Sequence, residues 1–266
     1  MKRSRLSGDM MTGPLHRFAQ RLRLRVPLGD DDISAMGVLP FASLVAGQGT
    51  TIYDPNSNAD SYQIVAQGLA ANFRQGRSGQ RQLTALRIVG DTAEPAATAL
   101  GWNPTGLVAL SDVTILQVPL EAVRTLSRQR PHIAQALYYD CAFDAASLAR
   151  LLGNSRRIPA IARVAHLLCE LAVRYRVAGQ ASENQFGLLM TQSDIGDATG
   201  STSVHVNRVM QALRMNGLID TTGRSVRILN WTGLSHLAEF DPTPFGVSDE
   251  LGAAEGLERL HGASAE

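Results

Sequence analysis

Apolar residues between Thr191 and Ile219 recur at the spacing of two short helices. A first segment begins at Thr191, a turn contains Gly200, and a second segment follows that turn. In the second segment the apolar residues stand at positions i, i+3, i+4 and i+7, which predicts a helix with one buried stripe. These residues are Val206, Val209, Met210 and Leu213. The other side of this helix carries small, amide and guanidinium side chains, which suit a helix that enters the major groove of DNA.

A hairpin pattern follows the second helix. Leu218–Thr221 and Ser225–Leu229 are short strand-like segments, and the turn between them contains Gly223 and Arg224. A hairpin directly after such a helix is typical of a winged helix-turn-helix. This pattern predicts a DNA-binding module near the C-terminal end of the chain.

Between Ala42 and Pro119 the pattern changes to short alternating segments separated by turns. Predicted strands include Tyr62–Ala66, Gln82–Ile88 and Val113–Val118, with glycines between several of them. Many short strands at regular turn spacing favour a sandwich or jelly roll. The whole chain is therefore predicted to be α+β, with a β-rich N-terminal half.

A longer helix is predicted from Pro131 to about Gly153. Its apolar stripe recurs every three or four residues, close to the period of a coiled coil, and small residues in it allow close approach of a second helix. The stripe contains Ile133, Leu137, Cys141, Ala145, Leu148 and Leu152. We predict that it is the seam of a homodimer. The alternative is a helix that packs on its own domain.

Composition narrows the class of protein. The chain has 266 residues, of which 44% are hydrophobic and 18% charged, which is normal for a soluble globular protein of one or two domains. No apolar run is long enough for a membrane span, and the N-terminus lacks the apolar core of a secretory signal. A cytoplasmic location is the default expectation. Two cysteines, Cys141 and Cys169, have no metal-ligand spacing and are too few for a four-cysteine iron–sulfur site.

The net charge of +1 conceals an uneven distribution. Residues 1–25 contain seven basic residues and one acid, and residues 156–230 contain nine arginines and five acids. Residues 241–266 contain six acids and one arginine. A basic segment around the predicted helix pair suits a polyanionic partner, although charge runs are also common on ordinary solvated faces.

The side chains around the helix pair can be given roles in binding double-stranded DNA. Arg208 is the main candidate for reading a base, because a guanidinium donates two hydrogen bonds to guanine O6 and N7. Asn207 suits adenine, and Val204 suits the methyl group of thymine. An internal salt bridge from Arg208 to Asp194 or Asp197 is the alternative. The full predicted set is Thr191, Gln192, Ser201, Thr202, Ser203, Val204, His205, Asn207, Arg208, Gln211 and Arg224, with Thr191 and Thr202 capping the two helices.

The stretch from Leu189 to Ile219 resembles the signature of the Crp/Fnr family of bacterial transcription regulators. The matching features are the threonine that opens the first helix, the glycine in the turn, the arginine in the second helix, and Gly-Leu-Ile before the hairpin. The sequence Val-His-Val-Asn-Arg at 204–208 resembles a subgroup common in alphaproteobacteria. The resemblance covers about 42–240. It implies a cyclic-nucleotide-binding-like β-roll, a long dimerisation helix and a winged helix-turn-helix.

One departure from the family concerns the effector pocket, expected near Gly90, Asp91, Glu94 and Pro104. The cyclic-nucleotide members have a glutamate that binds the ribose and an arginine that neutralises the phosphate. Here Glu94 is a candidate remnant of the glutamate, and by the resemblance Pro104 stands at the arginine position. A buried phosphate without a cationic partner is costly. The sequence therefore predicts no binding of cyclic AMP or cyclic GMP, and no cofactor.

These interpretations combine into a predicted organisation and function. The expected parts are a basic flexible N-terminus (1–24), a sensor β-roll (25–130), a dimerisation helix and hinge (131–155), a winged helix-turn-helix (156–240) and an acidic tail (241–266). Within the first part, Leu15–Leu24 is a candidate short amphipathic helix with Phe18 and Leu22 on one side. The expected function is a non-enzymatic regulator that binds a near-palindromic operator as a homodimer and works with RNA polymerase. The alternative is a regulator gated by a cyclic nucleotide or another small effector. A metal enzyme of the cupin type is disfavoured, because 42–119 contains no histidine.

Overall fold

The structure is a computed structural model that describes residues 3–4, 13–24, 26–76, 79–155, 158–181 and 184–245. The chain divides into two units. The first contains residues 1–153 together with 189–200, and the second contains residues 154–188 together with 201–266. The first unit therefore includes the first helix of the predicted helix pair, whereas the second helix belongs to the second unit.

Alternating apolar residues build two antiparallel sheets in the first unit. One sheet has the strand order β1-β2-β8-β4, and the other has the order β3-β7-β5-β6. The strands are β1 (Arg3–Ser4), β2 (Ala42–Ala46), β3 (Thr51–Tyr53), β4 (Ser61–Gln67), β5 (Ala70–Gln75), β6 (Arg81–Arg87), β7 (Gly106–Ala109) and β8 (Val113–Pro119). The predicted β-roll is confirmed.

The inner faces of these two sheets form one hydrophobic core. Leu44 and Ile115 come from the first sheet and Leu107 from the second, and each is at most 1% exposed. Burial of such side chains is the main favourable contribution to folding. Strand β2 continues to Ala46, which pairs with Val113 of β8.

Helices of this unit include α1 (Pro14–Arg23), α2 (Asp30–Gly37), α3 (Ala97–Leu100), α4 (Leu120–Gln129) and α5 (Pro131–Ser155). Of these, α1, α2, α4 and the start of α5 cover the outer side of the first sheet. The short amphipathic helix expected at Leu15–Leu24 forms as α1, but the segment is not flexible there, because Leu15, Phe18, Ala19 and Leu22 are all buried. They stand at i, i+3, i+4 and i+7, so one face of this basic segment is apolar and packs on the core. Residues 1–2, 5–12 and 25 lie outside the described part.

The dimer seam was predicted on a face of α5 that is buried at the start of the helix. Ile133 and Leu137 are 1% and 9% exposed and belong to the core of their own unit, so a partner helix cannot reach them. The packing alternative therefore applies to this end of the helix. Cys141 and Leu148 are half-buried, and the side chain of Leu152 lies outside the described residues. Of the predicted stripe, Ala145 is exposed, as are Tyr138, Ala142 and Ala149 on the same side.

The second unit is a small helical module with a three-stranded sheet in the order β10-β11-β9. Its elements are α6 (Ala160–Val177), β9 (Gln185–Gly187), α8 (Ser203–Met215), β10 (Ile219–Thr222), β11 (Ser225–Ile228), α9 (Trp231–Leu237) and a 3-10 turn (Thr243–Phe245), whereas α7 (Gln192–Thr199) belongs to the first unit. Leu168, Phe186, Val226 and Leu234 are among its most buried side chains. Within the described residues, no helix has the length and apolar character needed to cross a bilayer. The tail beyond 245 lies outside the described part.

Candidate nucleic-acid interface and sensor pocket

Reciprocal hydrogen bonds close the start of α7. The hydroxyl of Thr191 accepts a hydrogen bond from the backbone N–H of Asp194 at 3.1 Å, and a carboxylate oxygen of Asp194 accepts one from the backbone N–H of Thr191 at 2.9 Å. This arrangement is a capping box, in which Thr191 is the cap that the sequence predicted. Thr191 and Gln192 are exposed there, at the positive end of the helix dipole.

Helix α8 has the buried stripe that the sequence predicted. Val206 and Leu213 are fully buried, and Val209 and Met210 are 5% and 6% exposed. Thr202 is the N-cap, because its hydroxyl accepts a hydrogen bond from the backbone N–H of His205 at 3.2 Å. The stripe and the cap together fix the start and the rotation of the helix within its unit.

The side of α8 opposite the stripe is open to solvent. Val204 is 63% exposed, so its side chain is available to a partner. Of the predicted set, the exposed residues are Thr191, Gln192, Thr202, Ser203, Val204, His205, Arg208, Gln211 and Arg224, and the half-buried ones are Ser201 and Asn207. The predicted DNA-contacting side chains of the second unit thus lie at its surface.

The acids named as alternative partners of Arg208 have another partner. The Arg81 guanidinium lies 3.1 Å from a carboxylate oxygen of Asp194 and 3.2 Å from one of Asp197, all within the first unit. Arg208 itself is exposed. Its guanidinium is therefore available for recognition, as the base-reading interpretation requires.

The hairpin after α8 forms as predicted. Strands β10 and β11 pair antiparallel from Ile219–Ile228 to Thr222–Ser225, and Gly223 in the turn has a φ of 60°, in the left-handed region that favours glycine. Arg224 follows at the tip with an exposed side chain. A short turn therefore presents a cation at the end of the hairpin.

One basic residue near this surface was missed in the sequence. Arg163 of α6 donates to the backbone carbonyl of Ile158 at 2.9 Å, and its other terminal nitrogen lies 3.5 Å from the hydroxyl of Ser201. Arg163 therefore lies beside Ser201, two residues before the start of α8. The excess of arginine in 156–230 was the only available signal for it, because α6 and Ser201 are far apart in sequence.

Comparison with known proteins identifies this arrangement. Residues 162–237 match the family model of a Crp-like helix-turn-helix domain. The transcriptional activator protein Anr of Pseudomonas protegens is 25% identical over 217 residues, which cover 82% of this chain and 88% of that protein. By its helix-turn-helix domain and its curated relatives, the chain is of the Crp/Fnr type.

Two further proteins extend the similarity. The fumarate and nitrate reduction regulatory protein of Escherichia coli K12 is 23% identical over 191 residues, covering 72% of this chain and 76% of that one. The solved structure of FixK2 from Bradyrhizobium japonicum has a TM-score of 0.67 at 23% identity, covering 75% of this chain and 98% of that one. The protein is a Crp/Fnr-type transcription regulator with a helix-turn-helix DNA-binding domain, as its sequence predicted.

The residues expected to line an effector pocket of this Crp/Fnr regulator already have partners inside the protein. Gly90 and Asp91 form a turn, in which a carboxylate oxygen of Asp91 accepts from the backbone N–H of Ile88 at 2.8 Å and the carbonyl of Gly90 accepts from Arg21 at 2.7 Å. The carbonyl of Pro104 accepts from an exposed arginine of β5. These three residues therefore shape the turn and the loop of the β-roll.

Glu94 lies inside the β-roll and accepts a hydrogen bond from the hydroxyl of Thr105 at 2.8 Å. Burial raises the pKa of Glu94, and the hydrogen bond from Thr105 and the charge of Arg87 offset only part of that rise. Sequence reasoning missed Arg87 and its partner Asp144 on α5. The available signal was that Asp140 and Asp144 continue the buried face of α5 after Leu137 at steps of three and four residues.

The two thiols are not suited to redox chemistry in the folded chain. Cys169 is fully buried in α6, and burial raises the pKa of its thiol. Burial also raises the pKa of Cys141 to about 11, with the charges of Asp140 and Asp144 adding to the rise. Reactive cysteines have a lowered pKa and an electropositive setting. Among the described residues, no group of three or more histidines, cysteines and acids that could hold a metal is found.

Proposed function

We propose that this Crp/Fnr regulator binds a near-palindromic operator as a homodimer, with α8 of each copy in the major groove. The observation that carries the proposal is the division of α8 into a buried stripe and an exposed side that includes Arg208. A helix fixed on one side and polar on the other is what direct readout of base edges requires. The adjoining hairpin supplies the wing.

Each of the predicted DNA-contacting groups then has a role set by its chemistry. Arg208 donates two hydrogen bonds to a guanine, Asn207 pairs with an adenine, and Val204 contacts the methyl group of a thymine. The exposed start of α7 at Thr191 and Gln192 holds a phosphate through backbone amides, as helix N-termini commonly do. Arg224 at the wing tip contacts a second phosphate.

The exposed side of α5 supports a dimer. Tyr138, Ala142, Ala145 and Ala149 stand at steps of four, three and four residues, which is the spacing of a coiled-coil seam, and the alanines let two helices approach closely. A symmetric pair places two recognition helices about 34 Å apart, or one turn of DNA. RNA polymerase is the expected partner at the promoter. Such a regulator works in the cytoplasm and needs no catalytic residues.

Control by cyclic AMP or by an iron–sulfur cluster is not part of the proposal. Inside the β-roll, the carboxyl of Glu94 is hydrogen-bonded to Thr105, and the position of the phosphate-binding arginine is occupied by Pro104. Two buried or half-buried cysteines are too few for a four-cysteine cluster. Calorimetry with cyclic AMP and cyclic GMP distinguishes the alternative of a nucleotide-gated regulator, which requires micromolar binding.

The test begins with selection of bound sites from random duplex DNA by the full-length protein. Affinity for the selected site is then measured by fluorescence anisotropy at matched salt, because phosphate contacts make binding strongly salt-dependent. Arg208→Ala should weaken binding by about 5- to 150-fold, the equivalent of the ~1–3 kcal/mol of a bidentate base contact. Arg208→Lys keeps the charge but loses the planar pair of donors of the guanidinium, so this variant should also lose discrimination at the guanine.

Arg128→Ala is the matched control, since it removes an exposed arginine from α4 and leaves the DNA module unchanged. This variant should bind the selected site as wild type does. Equal affinity of Arg208→Ala and wild type would contradict the role of Arg208. Failure of the wild type to enrich any site would contradict the proposed function as a whole.

A further inference from the structure

The β-roll contains a buried cation that is held by a carboxylate from α5. Arg87, at the end of β6, is 7% exposed. Its two terminal nitrogens donate to the two carboxylate oxygens of Asp144 at 2.7 and 2.9 Å. This two-point arrangement is the way in which an arginine binds a carboxylate or phosphate ligand.

A chain of hydrogen bonds behind Arg87 fixes its direction. Its Nε donates to the amide oxygen of Asn72, and the amide nitrogen of Asn72 donates to the hydroxyl of Thr105 at 2.8 Å. Thr105 in turn donates to Glu94 at 2.8 Å. Each donor in this series has an acceptor, so the guanidinium is held in place before any anion is considered. Such preorganisation is characteristic of a binding site.

The same series joins α5 to the residues expected at the effector pocket, because it ends at Glu94. One turn before Asp144, the carboxylate of Asp140 accepts hydrogen bonds from Arg21 of α1 and from the hydroxyl of Thr92, both at 2.9 Å. Helix α5 is therefore attached to the β-roll by two acids, each held by an arginine from a different element. Displacing either acid would leave a buried cation without its anion, which is strongly unfavourable.

We propose that Arg87 is an anion-binding site that the protein fills with its own Asp144, so that α5 is held in its DNA-binding position without a small-molecule effector. The claim that α5 is held in its DNA-binding position rests on the proposed function, whereas the claim that Asp144 occupies the site does not. A carboxylate attached to the same chain has a high effective concentration at Arg87. A free anion in the millimolar range does not displace it, and the wild-type protein is insensitive to such anions at this site.

Asp144→Ala in the full-length protein tests the occupancy. Alanine keeps the Cβ and favours the helix, and it leaves beside Arg87 a space the size of formate. The melting temperature should fall by about 5–10 °C. Sodium formate at 100 mM should then raise it by about 3 °C or more above the value in 100 mM sodium chloride. Wild type should melt at the same temperature in both salts.

Two controls identify the group that binds formate. The double variant Arg87→Met with Asp144→Ala should lose the formate effect, because the cation is gone. Asp30→Ala removes the carboxylate of an exposed ion pair with Arg23 and should show no formate effect, since water already screens that arginine. Absence of a formate effect in Asp144→Ala would overturn the proposal. A formate or phosphate effect in wild type that disappears in Arg87→Met would overturn it as well.

DNA binding tests the second half of the proposal. In chloride, Asp144→Ala should bind the selected site at least about tenfold more weakly than wild type, and formate at equal ionic strength should restore most of the loss. The double variant should stay weak in both salts. Wild-type affinity of Asp144→Ala in chloride would overturn the link to DNA binding. If the wild type selects no DNA, the proposed function fails while the melting experiment still decides the occupancy.

Asp144→Asn is the second variant if Asp144→Ala does not fold. The amide keeps the shape of the side chain and loses its charge, so this variant should melt below wild type and bind DNA more weakly. It should show no formate effect, because the amide fills the space. Wild-type melting and DNA affinity of Asp144→Asn would overturn the proposal.

Discussion

At the scale of single residues, Glu94 combines burial with an ionisable group. Its raised pKa means that folding favours the protonated form. The contribution of Glu94 to stability is therefore fully present below the unfolded-state pKa of the carboxyl and is lost as the pH rises through the raised folded-state pKa. The hydroxyl of Thr105, which donates to Glu94, needs only an acceptor, and an amide oxygen also supplies one.

Glu94→Gln should consequently melt above wild type at pH 8, with a difference that shrinks on acidification and vanishes near pH 4. Calorimetric melting of both proteins from pH 4 to 8 measures this trend. Glu121→Gln is a control of opposite sign, because the hydrogen bond from Arg128 lowers the pKa of Glu121. A difference between Glu94→Gln and wild type that is independent of pH would contradict the assignment.

Single residues also show where sequence reasoning reached its limit in the pocket. Glu94 was singled out as a remnant of a ribose-binding group, and the structure does bury it. Arg87 and Asp144 are 57 residues apart, and their contact depends on the packing of α5 against β6. No local pattern records such a pair. Only the spacing of Asp140 and Asp144 in an otherwise apolar face indicates that two acids enter the interior.

At the scale of elements, the start of α8 should affect both the stability of the helix and the proposed DNA contact. Thr202 caps the helix and is exposed on the proposed DNA side. Thr202→Ala should reduce the free energy of unfolding by about 1 kcal/mol, because the backbone N–H of His205 loses its acceptor. Chemical denaturation measures this loss.

Thr202→Asp separates the two properties. Aspartate is as good an N-cap as threonine or better and complements the helix dipole, so stability should be kept. Its charge would face the phosphates, and affinity for the selected DNA should fall by about tenfold or more. If the aspartate variant is stable and binds DNA as tightly as wild type, the start of α8 does not lie against the DNA backbone.

The elements also differ in how well the sequence predicted them. The buried stripe of α8 was predicted residue by residue, because one side of that helix is clearly polar. On α5, by contrast, apolar or small residues recur every three or four positions on two faces of the helix. Periodicity does not say which of these faces packs against the β-roll. Ile133 and Leu137 pack inward, so the predicted face was wrong at that end. For α1 the sequence indicated an apolar side, but not that this side packs in the core of the first unit.

At the scale of the whole molecule, the proposed dimer is the assembly that gives the operator its symmetry. Ala145 is central in the exposed seam of α5. Ala145→Glu places a charge where two helices must approach closely, so dimers at about 10 µM should dissociate to monomers and affinity for a two-site operator should fall by 10-fold or more. Sedimentation velocity and anisotropy measure the two effects.

Ala99→Glu in the exposed end of α3 is the matched control and should leave both the mass and the affinity unchanged. Both variants should melt within a few degrees of each other, since each alanine is exposed. A dimeric Ala145→Glu protein with wild-type affinity would show that the interface lies elsewhere.

The location of the carboxylate of Asp144 on the protein's own helix has an evolutionary consequence. Loss of this side chain leaves Arg87 in place. One change therefore produces both a protein that is less stable and binds DNA more weakly, and a cavity suited to a small anion. One nucleotide change converts an aspartate codon into an alanine codon. A lineage can therefore pass from constitutive to ligand-dependent gene control in one step, with the metabolite supplying what the chain has lost, and it can return by the reverse mutation.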